Sequence, residues 1–252
     1  MNAGSKSGMH KLDAPRPGLL CGACPAFELN LCQAVASPRG DQSRPGQALL
    51  TSSEHVVPAR RIICRERDLH DVIPIICEGW AVSAVVLSDG SRQILSFLLP
   101  GDIVSTALLF EAAAYCLVES VTEVRYRNFK RTDLKGILFK HPDLFEKLSK
   151  AWINEKVRAD QLAVDLGRRT AEERIARLIL SLMDRLAQRG MVTGQTFEFP
   201  PRQHHIADAT GLTAVHVSKV MSEFRRNRVI ETTDRSLTIL DSERLRRIAA
   251  MR

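Results

Sequence analysis

The sequence predicts an α+β chain in which a small β-roll, one long helix and a winged helix-turn-helix follow one another. Three observations predict it. Short β-rich runs split by glycine turns fill about 46–130, the hydrophobic period becomes helical at His141-Pro142, and a helix-turn-helix spacing stands in 205–226. The chain divides accordingly into an arm with a cysteine-bearing stretch at 1–38, a roll at 39–140, a long helix at 141–167 and a winged helix-turn-helix domain at 168–252.

The bulk composition permits this. At 252 residues, 44% apolar and 26% charged, the chain buries a proper core like an ordinary globular protein. No apolar run reaches the roughly 18 residues of a membrane span, and Glu78 interrupts the best candidate. The start "MNAGSKSGMHKLDAPRPG" has no hydrophobic h-region, so a cytoplasmic location is expected. In that reducing compartment six cysteines are ligands, sensors or buried thiols rather than disulfides. The net charge is +7, with much of the excess in "RRTAEERIARL", "FRRNR" and "SERLRRIAAMR", which favours a polyanionic partner.

The roll rests on "RRIIC", "VIPIICEGWAVSAVVL", "SRQILSFLL" and "ESVTEVRYRNF" as strands, with turns at "LSDGSR" and "LLPGDIV". In the helix that follows, Pro142 stands near the first turn and Gly167 just past the end. Phe145, Leu148, Trp152, Glu155, Ala159, Leu162 and Leu166 recur at alternating three- and four-residue spacing. That is a heptad seam on a helix of roughly 37 Å, and it predicts self-pairing into a homodimer. Glu155 and the small Ala159 weaken the seam and would make pairing conditional. A second helix starts at the "TAEE" capping box, Thr170 with Glu173, and runs to Gly190.

"HIADATGLTAVHVSKVMSEFRR" is the most informative stretch. Ala207 is small where a second helix must cross, Gly211 makes the turn, and Ile206, Leu212, Val217 and Val220 lock the pair. Thr213 caps the second helix, whose first turns would enter the major groove of double-stranded DNA. Ala214, Val215, His216, Ser218 and Lys219 are its candidates to face the bases. Arg202 and Gln203 before the pair, with Arg225 and Arg226 at its end, suit phosphates. "VIETTDRSLTIL" then reads as the two strands of a wing. No P-loop, nucleophile elbow, zinc-protease or dinucleotide motif is present, so no catalysis is expected. The adjacent His204 and His205 cannot share one helix face and make a poor metal pair.

Together these parts resemble the CRP/FNR family of bacterial transcription regulators, from about residue 21 to the end. "LGRRTAEERIARLI" and "HIADATGLTAVHVSKV" carry the resemblance most specifically. It implies a cyclic-nucleotide-binding-domain-like roll, a palindromic operator bound by a dimer, and RNA polymerase as a partner. With Cys21, Cys24 and Cys32 spaced C-x2-C-x7-C, the chain looks most like the FNR branch, whose members hold an oxygen-labile 4Fe–4S cluster. Where that branch has its fourth cysteine this chain has Arg125, and Cys116 is the substitute ligand; Cys64 and Cys77 read as buried small hydrophobes. Zinc, a thiol redox sensor, or no cofactor at all are the alternatives. Relatives that bind cyclic AMP carry a Glu and an Arg around its phosphate. Here Thr106 takes the Glu position and "GDIVSTALLFEAAAYC" has no arginine, which argues against a cyclic nucleotide. On the recognition helix Val215 and Lys219 replace the branch's Glu and Arg, and Ser218 is kept, so a different operator sequence is expected.

Overall fold

The computed structural model describes residues 52–140 and 142–250. Seven strands make the roll: β1 (Ser52–Val57), β2 (Ile62–Cys64), β3 (Val72–Glu78), β4 (Ala81–Val86), β5 (Arg92–Leu98), β6 (Leu117–Ser120) and β7 (Val124–Lys130). They form two antiparallel sheets, ordered β1-β7-β3 and β2-β6-β4-β5. Strand β1 lies outside the runs expected from the sequence: all but one of its residues are exposed, so it has no apolar alternation to reveal it. The long run 72–87 is two strands, because Gly79 turns the chain at φ 82. A Cβ there would stand 2.0 Å from the Glu123 carbonyl oxygen, so only glycine fits.

The last ten residues of the span expected for the roll, to which the sequence assigns no element, are a helix, α1 (Arg131–Lys140). Leu134 and Leu138 bury its apolar edge. The long helix α2 (Pro142–Arg168) starts as expected, but Gly167 lies inside it, without the left-handed φ of a terminating glycine, rather than just past its end; α3 (Ala171–Ala187) begins at the capping box. There the Glu173 amide donates to Thr170 Oγ1 at 3.3 Å, and the Thr170 amide donates to Glu173 Oε2 at 2.8 Å.

The DNA-binding half contains β8 (Val192–Thr193), β9 (Thr196–Glu198), α4 (Gln203–Thr210), α5 (Ala214–Arg226), β10 (Ile230–Thr232), β11 (Ser236–Ile239) and α6 (Ser242–Ala250). The expected wing is β10–β11, and β9 pairs with β11 to extend it into a sheet ordered β10-β11-β9-β8. The β8–β9 hairpin was missed as too short to show a period; its signal is Gly194, at φ 63 between the strands.

Two cores hold the molecule. Ile73, Ile75, Ile76, Val118, Val124 and Phe129 fill the first, inside the roll, together with Leu148 of α2. The second joins α3, α4 and α5 to the outer face of β4 and β5. Ala81 and Leu98 point into the first core, while Val82, Ala84, Phe97 and Leu99 point into the second. This alternation explains why Ala81, Val82 and Ala84 of β4 are all apolar: both faces of its first part are covered, while Val86 at its end is exposed.

One position of the predicted seam of α2, Leu148, is corrected here. Leu148 is 1% exposed within a single chain, so it is core and not a pairing surface. Trp152 packs toward the same core and lies 5.1 Å from the Phe110 ring, and Glu155 accepts the Thr106 hydroxyl at 2.8 Å. A three-four repeat specifies an apolar face but not what covers it, and the roll of the same chain covers this part.

Candidate nucleic-acid interface

Helices α4 and α5 are joined by Gly211, left-handed at φ 63 and ψ 36. A β-carbon there would meet Leu166 Cδ2 at 2.9 Å, so the turn is also pressed against the end of α2. Thr213 caps α5, its hydroxyl accepting the His216 amide at 3.2 Å. Ile206, Ala207, Val217 and Val220 are buried between the pair as expected. Met221 and Phe224 join them, continuing the same face by one turn.

The opposite face of α5 is open. Val215 is 80% exposed, Ala214, His216 and Lys219 are exposed, and Ser218 is half-buried. Thr213, as the capping residue, is exposed beside them. Ser222 lies one turn beyond Ser218, exposed; the same three-four spacing that picked Val215 and Ser218 reaches it. Arg225 and Arg226 are exposed at the helix end. Arg225 donates to the hydroxyls of Ser222 at 2.8 Å and Thr232 at 3.3 Å, which ties the recognition helix to the wing.

Arg202 and Gln203 are exposed at the start of α4. No side-chain oxygen caps this helix; instead the Arg202 amide donates to His205 Nδ1 at 3.1 Å. With Nδ1 accepting, the His205 proton sits on Nε2, which faces His204 Nε2 at 3.1 Å. The two rings therefore do meet, contrary to the helix-face expectation, but as a hydrogen-bonded pair whose inner ring has no lone pair left for a metal. Burial, then the charges of His204, Arg92, Arg202 and Arg60, push His205 down to about 3.

Two polar clusters seat this domain on the roll. Arg92 of β5 donates to Glu119 at 2.7 Å and to Asp208 of α4 at 2.9 Å. Asp102 accepts from Arg185 of α3 and from Arg189 in the turn just beyond it, both at 2.6 Å. Neither cluster was legible in the sequence, since the partners that join the two halves lie more than eighty residues apart and no local pattern joins them.

Among the cysteines, Cys21, Cys24 and Cys32 lie outside the described residues. Cys64 is buried, its Sγ 3.1 Å from His70 Nε2, and burial followed by Cys116 and Asp68 pushes its thiol up to about 12. Cys116 is half-buried, and burial, Glu155 and Glu66 push its thiol up as well. Arg125, at the position expected for a fourth cysteine, is tied to Glu54 at 2.7 Å and Glu78 at 3.4 Å. Among the described residues no group of three or more His, Cys, Asp or Glu side chains is placed to hold a metal ion. No helix among them is long and apolar enough to cross a membrane.

Known proteins carry the same two parts. Residues 54–141 match the cyclic nucleotide-binding domain, and residues 173–248 match the Crp-like helix-turn-helix domain. The chain is 30% identical over 186 residues to the transcriptional activatory protein AadR of Rhodopseudomonas palustris, covering 73% of this chain and 76% of that one. It is 31% identical over 192 residues to the nitrogen fixation regulation protein FixK of Rhizobium meliloti, covering 75% and 83%. To the transcriptional activator FnrL of Cereibacter sphaeroides it is 28% identical over 222 residues, covering 86% and 82%. The solved structure of FixK2 from Bradyrhizobium japonicum superposes with a TM-score of 0.71 at 25% identity, over 81% of this chain and 100% of that one. With its roll, capped helix pair and wing, the chain belongs to the CRP/FNR family of transcription regulators.

Proposed function

We propose that this regulator binds a palindromic operator in double-stranded DNA as a homodimer, with RNA polymerase as its partner. One observation carries the reading: a recognition helix buried along Val217, Val220 and Phe224 leaves its other face, from Val215 through Lys219 to Arg226, open and basic. Lys219 donates to a guanine acceptor, Val215 meets a thymine methyl, and Arg202, Gln203, Arg225 and Arg226 take phosphates. Pairing uses the apolar residues that α2 leaves exposed, Phe145, Ile153, Val157 and Val164, with the small Ala159. Two such helices side by side place the heads on half-sites about 34 Å apart.

The sensor in this proposal is a 4Fe–4S cluster on Cys21, Cys24, Cys32 and Cys116, supported by the cysteine spacing and by the Fnr-named relatives. Bound, the cluster supplies an oxygen-labile link between the N-terminal thiols and the roll. Cys116 fits in position, half-buried beside Glu155 of α2, but must lose its proton against Glu155 and Glu66. That same opposition favours the second reading, a regulator of this family without a cofactor.

The test is anaerobic purification with iron and sulfide analysis, joined to operator binding in the presence and absence of air. About four irons per chain, lost in air and absent from Cys116→Ser, are expected. Colourless, iron-free protein that binds DNA equally in both gases overturns the cluster and leaves the regulator. For the head, Lys219→Ala should cost about 1–3 kcal/mol of binding, concentrated on one base pair of each half-site. A loss spread evenly over all sequences would move Lys219 to the phosphates.

A further inference from the structure

The reading head has a second concave surface besides its recognition face. A cavity of about 610 Å³ opens between the start of α3, the end of α5 and α6, within the size range of sites for small organic ligands. None of the residues from Val215 to Lys219 lines it. Its floor is apolar, made by the buried Phe224 and Val229 and the half-buried Ile248. Four charged side chains line it as well: Glu172 of α3, Glu223 of α5, and Arg244 and Arg247 of α6.

The fold makes almost no use of these charges. Glu172 and Glu223 are half-buried, yet neither carboxylate has a hydrogen bond or an ion pair with any described residue. The Arg247 guanidinium has none either, and that of Arg244 gives one long hydrogen bond, 3.3 Å, to the Asn227 carbonyl. Their neighbour Glu173 shows the contrast, being buried and spent on the Thr170 amide. Two carboxylates and two guanidiniums thus face one cavity without pairing with one another. Arg244 and Arg247 stand three residues apart on one helix and present their charges from the same face. The carboxylates come from the other two helices. A lone anion would be opposed by the glutamates and a lone cation by the arginines. A molecule that carries both charges answers both sets at once.

We propose that this cavity binds a zwitterionic apolar α-amino acid. Its carboxylate takes the guanidiniums of Arg244 and Arg247, whose planar forks match it in geometry and charge. Its ammonium group, with three donors, takes the carboxylates of Glu172 and Glu223. Its side chain lies on the floor of Phe224, Val229 and Ile248. An occupant ties α3 and α6 to the end of the recognition helix, directly before Arg225 and Arg226. The site shares no residue with the proposed cluster or with the pairing face of α2.

The test uses the full chain and calorimetric titration with L-leucine, followed by thermal melting. Three analogues each remove one feature: leucine amide the carboxylate, 4-methylpentanoate the ammonium, and glycine the side chain. Leucine should bind saturably, one per chain, and raise the melting midpoint. Leucine amide and 4-methylpentanoate should each bind about tenfold more weakly, having lost one set of charge-assisted bonds. Glycine should bind more weakly than leucine, having no side chain to bury. Arg247→Gln and Glu223→Gln should each weaken leucine by about tenfold, yet melt close to the parent without ligand, since neither has a partner to lose. The Arg247→Gln protein should also discriminate less between leucine and leucine amide, because the two changes remove the same contact. No leucine binding, equal binding of leucine and either charge-deleted analogue, or unchanged binding by both variants would each overturn the proposal. Operator binding measured on the same preparations judges the DNA-binding reading separately.

Discussion

His205 shows how one side chain can do the work of a cap. Where serine or aspartate would usually stand ahead of α4, the chain has Arg202, and the ring of His205 reaches back to take the Arg202 amide. That bond requires an unprotonated Nδ1, and burial enforces it by holding the group near about 3, against an ordinary value of 6.5. The unfolded chain therefore takes up a proton at His205 before the folded one does. Its contribution to stability is complete above pH 6.5 and is lost progressively as the pH falls toward 3, amounting to about 2 kcal/mol at pH 5. His205→Asn keeps an acceptor and removes the titration, so urea midpoints of this variant should fall less between pH 7 and pH 5 than those of the parent. Equal slopes in the two proteins would mean that the ring is not the group being titrated. The sequence placed this pair beside the recognition helix but could not show the ring turning back, since a histidine as a helix cap has no pattern.

At the scale of elements, α2 presents two apolar faces, one packed on the roll and one exposed, which is the proposed pairing surface. The start of α2 at Pro142 and the start of α3 at the Thr170–Glu173 box were legible, because both are local chemistry, whereas Gly167 lies inside α2 and did not mark its end. The assignment of its faces was not legible, because the sequence carries apolar residues around much of the helix and the covering partner is remote. The inward face is tested by Leu148→Ala, which empties a site that is 1% exposed and should cost about 2–5 kcal/mol in chemical denaturation. The outward face is tested by Ile153→Asp, at a position 61% exposed. This change should leave the denaturation midpoint of the single chain nearly unaltered and dissociate the proposed dimer in sedimentation, with operator affinity falling accordingly. If Leu148→Ala dissociates dimers while Ile153→Asp does not, the two faces have been exchanged. The β4 strand teaches the same lesson: its largely apolar text marks a strand without saying what covers each side, and only the fold reveals that the second side belongs to the DNA-binding half.

On the scale of the whole molecule, the roll and the reading head are not beads on a string. Val82, Ala84 and Phe97 of the roll share one core with Ile175, Ile179 and Ile206 of the other half. Beside that core Asp102 closes the contact, with Arg189 donating at 2.6 Å and its side chain 8% exposed. Arg189 also gives a hydrogen bond to the Pro100 carbonyl at 2.9 Å, so its position is fixed from the roll side. None of this is local in sequence, which explains why element types were readable and their docking was not. The arrangement makes a specific energetic claim. Asp102→Asn removes the charge that two guanidiniums share and leaves Arg189 buried with no carboxylate, at a cost of about 3–5 kcal/mol. Most of that cost is the stranded cation rather than the lost attraction. Combining Asp102→Asn with Arg189→Met should therefore restore part of the melting temperature that the single change removes, because the methionine carries no charge to strand. A double variant no more stable than Asp102→Asn alone would show that the contact is held by its attraction, and that the apolar core beside it cannot hold the two halves together unaided.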